Sequence, residues 1–284
     1  MVTPFQENGD IDFEAVEKLI EHLLSNGTDS IVVCGTTGES PTLSMDEKLQ
    51  LIRFTVEKVN KRIPVIAGTG TYNTKETIEM TKKAESLGVD GVMLVAPYYN
   101  KPNQRGLYAH FEAVAKETAL PIILYNVPGR TGTNIEAATT IALSKIPNIQ
   151  VVKEASGNLD QMAEILAKTD EDFFVYSGDD ALTLPLLAIG GKGVISVASH
   201  VVGNEMQAMI RAFEEGRLDE AAKMHQALLP LFKQLFKCPN PVPVKYALGK
   251  VGFSVARVRL PLVEMTEEEK RQFDEVWEHV KQSI

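Results

Sequence analysis

An apolar run, Ile149-Gln150-Val151-Val152, ends abruptly at Lys153, and a Ser-Gly-Asn turn follows at 156–158. With Pro147-Asn148 before it, the segment reads as a short buried strand whose last residue meets solvent. The ordinary role of such a lysine is to snorkel, its stem packed and its ammonium wet. Its chemical role would be that of an amine at the rim of an apolar pocket, desolvated until it can attack a carbonyl. Glu154 is expected on the opposite face of the strand and so does not pair with it.

Other apolar runs end in residues that could serve such an amine. Gly35-Thr36-Thr37-Gly38-Glu39-Ser40 combines two glycines with hydroxyls. Its N–H groups can turn inward as a nest for a carboxylate or oxyanion, the alternative being a plain turn. Pro97-Tyr98-Tyr99-Asn100-Lys101 pairs two tyrosines, whose usual work is packing or interface contact. Tyr125-Asn126-Val127-Pro128-Gly129-Arg130-Thr131-Gly132 offers a phenol and a guanidinium. These suit a proton donor and a fork for a carboxylate, or equally a packed phenol and a solvated arginine. In Ser177-Gly178-Asp179-Asp180 the two acids would repel a phosphate and, with no histidine partner, read as caps of the next helix rather than metal ligands. None of the five histidines (His22, His110, His200, His225, His279) falls in a loop with acids, which argues against metal or Ser-His-Asp chemistry.

The elements that would position these residues alternate as βα units roughly every 20 to 35 residues. Strand candidates are 2–3, 30–34, 64–67, 91–95, 122–126, 150–153, 173–177 and 193–197. All but the first are near-continuous apolar runs, as in a parallel sheet covered on both faces. Helices are expected over 12–25, 44–59, 73–88, 105–118, 135–144, 159–167, 181–188 and 204–215, with Ser44 and Glu47 forming a capping box. Such a count fits a (β/α)8 TIM barrel over 1–216, and no Gly-x-Gly-x-x-Gly follows the first strand to suggest a doubly wound sheet. Residues 217–284 lack strands and read as a C-terminal helical extension. It comprises a long helix over 218–236 kinked at Pro230, a stop at Pro239-Asn240-Pro241-Val242-Pro243, and a terminal helix opened by a capping box at Thr266 and Glu269.

Composition narrows the function. The chain has 284 residues, 44% of them hydrophobic, and a net charge of −9, which argues against a nucleic-acid partner. No run suits a membrane span and no signal segment is evident, so a cytoplasmic protein is expected. Two cysteines, Cys34 and Cys238, suggest neither a disulfide framework nor a metal site.

With the motifs at 35–40, 98–101, 125–132 and 153–155 placed in this order at strand ends, the chain resembles the pyruvate-dependent class I aldolase family of the dihydrodipicolinate synthases and N-acetylneuraminate lyases. The resemblance runs from Val2 to the C-terminal helices. It implies a lyase of lysine and diaminopimelate biosynthesis that condenses pyruvate with L-aspartate 4-semialdehyde to 4-hydroxy-tetrahydrodipicolinate. Lys153 would form the Schiff base with pyruvate, with no other cofactor and no metal. Thr36, Tyr125 and Tyr99 would relay protons, Tyr99 reaching into the site of a neighbouring subunit of a homodimer or homotetramer. Thr37 and the backbone of its loop would anchor the pyruvate carboxylate, Arg130 would hold that of the semialdehyde, and Gly178 and Ile195 would complete the substrate contacts. Related lyases of sugar acids share the lysine and tyrosine but typically lack the arginine, so Arg130 favours the synthase over that alternative. A non-catalytic barrel is disfavoured because every expected catalytic side chain is present.

Two departures carry expectations. Family members usually have several more residues before Val2, so a short first strand should lower stability or weaken subunit assembly. Members inhibited by lysine carry His at the positions of Met45 and Lys48 and Asn at that of Tyr72, so insensitivity to lysine is expected here.

Overall fold

A computed structural model describes all of residues 1–284. In chain order the elements are α1 (Phe13–Ser25), β1 (Ile31–Val33), α2 (Met45–Val59), β2 (Val65–Gly68), α3 (Thr74–Ser86), β3 (Gly91–Val95), α4 (Gln104–Ala115), β4 (Ile122–Asn126) and α5 (Pro128–Thr131). There follow α6 (Ala137–Leu143), β5 (Ile149–Glu154), α7 (Leu159–Lys168), β6 (Phe174–Ser177), α8 (Thr183–Ala188), β7 (Gly193–Val194), α9 (Ser199–Glu214), α10 (Leu218–Gln234), α11 (Val242–Lys250) and α12 (Glu267–Lys281). The chain divides into two compact units, Asn60–Ile195 and Met1–Val59 with Ser196–Ile284.

In Asn60–Ile195 the strands β2 to β7 form a parallel sheet in which neighbours in sequence are neighbours in space. Parallel pairing requires long crossovers, and the helices between the strands supply them. The apolar runs are continuous because both faces are covered: Val92, Leu94, Ile122, Leu124, Val152 and Val175 are fully buried. Each contributes roughly 1.5–3 kcal/mol relative to exposure. One irregularity matters for chemistry. Ile122 pairs with Ile149, but Ile123 pairs with Val151, so Gln150 is the extra, exposed residue of a bulge. Every later residue of β5 is shifted by one, which puts Lys153 opposite Tyr125 and Glu154 opposite Asn126.

The other unit holds β1 and the longer helices. Seven strands form in the chain, not eight. The expected first strand is absent although Val2 is fully buried. Its N–H donates to His200 Nε2 (3.1 Å) instead of a ladder carbonyl, and Pro4 has no N–H to give. Met1 N still reaches Val32 O at 2.8 Å, and Phe5 makes only an isolated antiparallel bridge with Ile11. The last strand stops at Val194, three residues early; Ser196 Oγ then accepts from Ser199 N (2.8 Å), opening α9 five residues sooner than expected. Inside α9 the helical dihedrals break at Val202 (φ −137°, ψ 39°).

Helix starts follow the sequence punctuation. Ser44 and Glu47 exchange bonds of 3.2 and 2.8 Å, and Thr266 and Glu269 form the second capping box. The helix α10 continues through Pro230 and packs on α9 and α12. Unanticipated is α11, which begins within the proline-rich stop. Pro243 falls in its first turn, where no intrahelical N–H is needed, so the same residues that end one helix begin another.

Candidate active site

Parallel register places Tyr125, Lys153 and Tyr176 side by side on β4, β5 and β6, and Asn126, Glu154 and Ser177 beside one another at the next position. Because strand side chains alternate, the two rows face opposite ways. Lys153 is 9% exposed, and its Nζ lies 4.3 Å from the centroid of the Tyr125 ring. It therefore faces a π-cloud and a phenol-bearing ring, with its ammonium in no ion pair. Gly178 makes room for it: a Cβ there would stand 3.1 Å from Lys153 Cε and 2.6 Å from Ala155 Cβ. The backbone seats the same residues, with Gly178 N donating to Glu154 O and Ile195 N to Ser177 O, both at 2.8 Å. The sequence reading overlooked Tyr176. Its signal was an aromatic two residues before the strand-end glycine.

The opposite row is wholly buried. The Glu154 side chain, 0% exposed, accepts from Asn126 Nδ2 (3.0 Å to each oxygen), Gln161 Nε2 (2.9 Å) and Ser156 N (2.8 Å). This fulfils the expectation that it turns away from Lys153. Asp179 accepts from Ala181 N at 2.9 Å and so caps the following turn, as its position suggested.

Two expected residues of this unit stand outside that cluster. Arg130 is exposed on α5, a single turn that begins at Pro128 and ends at Gly132 in the left-handed region (φ 71°). Tyr99 is 90% exposed and itself left-handed (φ 73°), a costly conformation for an aromatic residue. Its neighbours fix it there. Asn100 N donates to Tyr98 O (2.9 Å), Asn100 Nδ2 to Tyr72 O (3.1 Å), and the rings of Tyr72 and Tyr98 meet edge-on at 5.2 Å. Burial pushes the Tyr98 phenol above its ordinary range.

In the other unit the 35–40 loop is a tight turn of which only part can serve as a nest. Gly38 N and Ser40 N donate to Gly35 O, and Glu39 N donates to Thr36 O, so those three N–H groups are used internally. The N–H groups of Thr36 and Thr37 remain to receive an anion. Beneath them Glu39, left-handed and 2% exposed, accepts from Lys245 Nζ at 2.5 Å and from Arg259 N at 3.0 Å. Burial pushes the Lys245 amine down to about 8 against the pull of Glu39. Asn240 Nδ2 donates to Thr37 Oγ1 at 2.9 Å, so the Thr37 hydroxyl accepts there and keeps its own proton for another acceptor. Neither Lys245 nor Asn240 was legible as a support of this loop, since each lies some 200 residues away in sequence. All five histidines are helical.

The whole chain can be set beside known proteins. Residues 1–280 match the model of the dihydrodipicolinate synthetase family. The 4-hydroxy-tetrahydrodipicolinate synthase of Bacillus velezensis is 59% identical over 276 residues, covering 97% of this chain and 96% of the relative. That of Bacillus subtilis is 59% identical over 271 residues, covering 95% and 93%. The crystal structure of a dihydrodipicolinate synthase from Bacillus anthracis superposes with a TM-score of 0.97 at 56% identity, covering 100% of this chain and 96% of that one. A lysine facing a tyrosine at the end of a parallel sheet thus occurs in a chain that belongs to the dihydrodipicolinate synthetase family.

Proposed function

We propose that this chain condenses pyruvate with L-aspartate 4-semialdehyde to 4-hydroxy-tetrahydrodipicolinate, with Lys153 as the imine-forming amine. The observation that carries this reading is the position of Lys153 Nζ, nearly buried and 4.3 Å over the Tyr125 ring. Pyruvate becomes a nucleophile only by losing a methyl proton, and an imine at Lys153 supplies the electron sink. Attack of Nζ on the keto carbon and loss of water give the imine; deprotonation gives an enamine that adds to the aldehyde carbon. The substrate amine then closes on the imine carbon and expels the lysine. Family chemistry of this kind needs no external cofactor.

The remaining roles follow the family pattern. Tyr125, with Thr36 and Tyr99, relays the protons of imine formation and addition. The outward Tyr99 ring supports its being supplied to a second copy, hence a homodimer or larger assembly. Thr37 and the free N–H groups of its loop hold the pyruvate carboxylate, Arg130 holds that of the semialdehyde, and Gly178 and Ile195 line the substrate. A (β/α)8 barrel over 1–216 with a helical extension over 217–284 is the architecture proposed from the family pattern; the sequential parallel strands β2 to β7 support it, while residues 2–3 form no strand. No helix is long and apolar enough to cross a membrane.

Borohydride reduction in the presence of pyruvate tests the reading. The wild-type protein is expected to gain one pyruvate-derived adduct at Lys153, and Lys153→Ala none. An unmodified Lys153 would remove the mechanism, and turnover of sugar-type aldehydes without turnover of aspartate semialdehyde would reassign the substrate.

A further inference from the structure

We infer that Glu154 is a positioning residue for the loop that carries Arg130, and thereby tunes recognition of the second substrate. The inference rests on the role proposed for Arg130. The loop leaves the sheet at Asn126 and returns at Ile135, and a reciprocal pair closes it: Ile135 N donates to Asn126 Oδ1 (2.9 Å) while Asn126 Nδ2 reaches Ile135 O (3.4 Å). Asn126 Nδ2 also donates to Asn134 Oδ1 at 2.8 Å. Gln161 on α7 braces the same corner, accepting from Asn134 Nδ2 (2.9 Å) and donating to Ile135 O (3.2 Å).

Glu154 is where these bonds converge. Its two oxygens receive Asn126, Gln161 and Ser156 N and meet donors only. An acceptor-only carboxylate fixes which way both amides turn, with Asn126 Nδ2 toward Glu154 and Asn126 Oδ1 toward Ile135 N. Rotating the Asn126 amide would set its oxygen against the carboxylate and break the closure at the same time. Such a ring of donors around one buried acceptor is strong when complete and costly when one member is wrong. Beside Glu154 the returning end has one further brace, Gln104 on α4, which donates to Asn134 O (2.9 Å) and accepts from Glu136 N (3.2 Å). The short α5 turn is maintained by Arg130 N and Thr131 N donating to Val127 O, and by Thr131 Oγ1 to Thr133 O (2.8 Å). Lys153, one residue earlier on the other face, makes none of these bonds.

Glu154→Gln keeps the shape but introduces an NH2 group among N–H donors, so the ring cannot close. Hydrogen exchange of the 127–136 segment in Glu154→Gln is expected to accelerate by about tenfold or more. The KM for aspartate semialdehyde should rise by about tenfold, while the KM for pyruvate and the rate of borohydride trapping at Lys153 stay within about twofold. Asn126→Ala should reproduce this split, and the double variant should be no worse than Asn126→Ala alone, because the carboxylate acts through that amide. Unchanged exchange at 127–136 would overturn the inference. So would a loss of trapping in proportion to the loss of aldehyde turnover, since the carboxylate would then be holding β5 itself, and so would additive effects of the two substitutions. Arg130→Ala separates the two levels: if it leaves the aldehyde KM unchanged, the role given to Arg130 fails, and the exchange data alone decide whether Glu154 holds the loop.

Discussion

Lys153 and Lys245 are both withdrawn from solvent, at 9% and 0% exposed, and both lie 4.3 Å from an aromatic ring, Tyr125 for one and Phe5 for the other. They differ in what else they touch. Lys245 donates to Glu39 Oε1 at 2.5 Å and to Arg257 O at 2.6 Å, so its side chain is fixed by two bonds, one of them to an anion. Lys153 has the ring and no anion. Burial alone therefore does not make a nucleophile. A paired buried amine is a structural tie, whereas an amine with no carboxylate beside it is free to swing toward a carbonyl.

The comparison breaks most visibly by deletion. Lys153→Ala is expected to lower turnover by at least about a thousandfold while leaving the melting temperature within a few degrees, since no ion pair is lost. Measured turnover near the wild-type level would erase the distinction. Lys245→Met should do the reverse to stability, costing on the order of 3–5 kcal/mol in denaturant unfolding by leaving Glu39 buried and unpaired. The double variant Lys245→Met with Glu39→Gln should recover much of that loss, because no uncompensated charge remains. Equal destabilisation by the single and double variants would mean that packing, not charge, sets the cost.

A smaller effect comes from acid acting on the unit that holds Lys245. Burial holds His200 down to about 3, and its Nε2 accepts from Val2 N–H while Nδ1 lies 2.8 Å from Val197 O, an arrangement that only the neutral ring satisfies. The unfolded chain, near the ordinary 6.5, binds a proton there that the folded chain refuses, so stability is full above pH 6.5 and is lost as pH falls toward 3. The loss over the whole window is roughly 4 kcal/mol. It should be reduced in His200→Gln, and a parallel pH slope in that variant would assign the loss elsewhere. The smallest expected effect concerns free lysine. A cationic effector would meet Lys48 as a like charge, so millimolar lysine should leave turnover unchanged. Marked inhibition in a steady-state assay would show that this like charge is tolerated.

The βα rhythm was legible because strands covered on both faces read as continuous apolar runs, and β3 and β4 fall on the expected residues, Gly91–Val95 and Ile122–Asn126. Local signals also sufficed for the capping boxes, for Lys153 at a strand end and for Glu154 facing away. What escaped was set by partners remote in sequence. Val2 is apolar and β-prone, yet its N–H is taken by His200, so no ladder forms at the first strand. Only part of the 35–40 loop could serve as a nest because its own carbonyls use three N–H groups, and its supports are Lys245 on α11, which the proline pattern concealed, and Asn240 just before that helix. Tyr176 beside Lys153 follows from register, which no single strand discloses.

The extra residue Gln150 has a consequence for how this gene can change length. Removing Gln150 while keeping the Ile122–Ile149 pair would only erase the bulge and leave Lys153 beside Tyr125, whereas adding one residue before Val151 with the bulge unchanged would set Val152 beside Tyr125 and turn Lys153 to the other face. Insertion of a single codon between Gln150 and Val151 should thus abolish activity although Gln150 is exposed and polar, whereas deleting Gln150 or replacing it by other polar residues should be tolerated. Tolerance at this place depends on register rather than on chemistry.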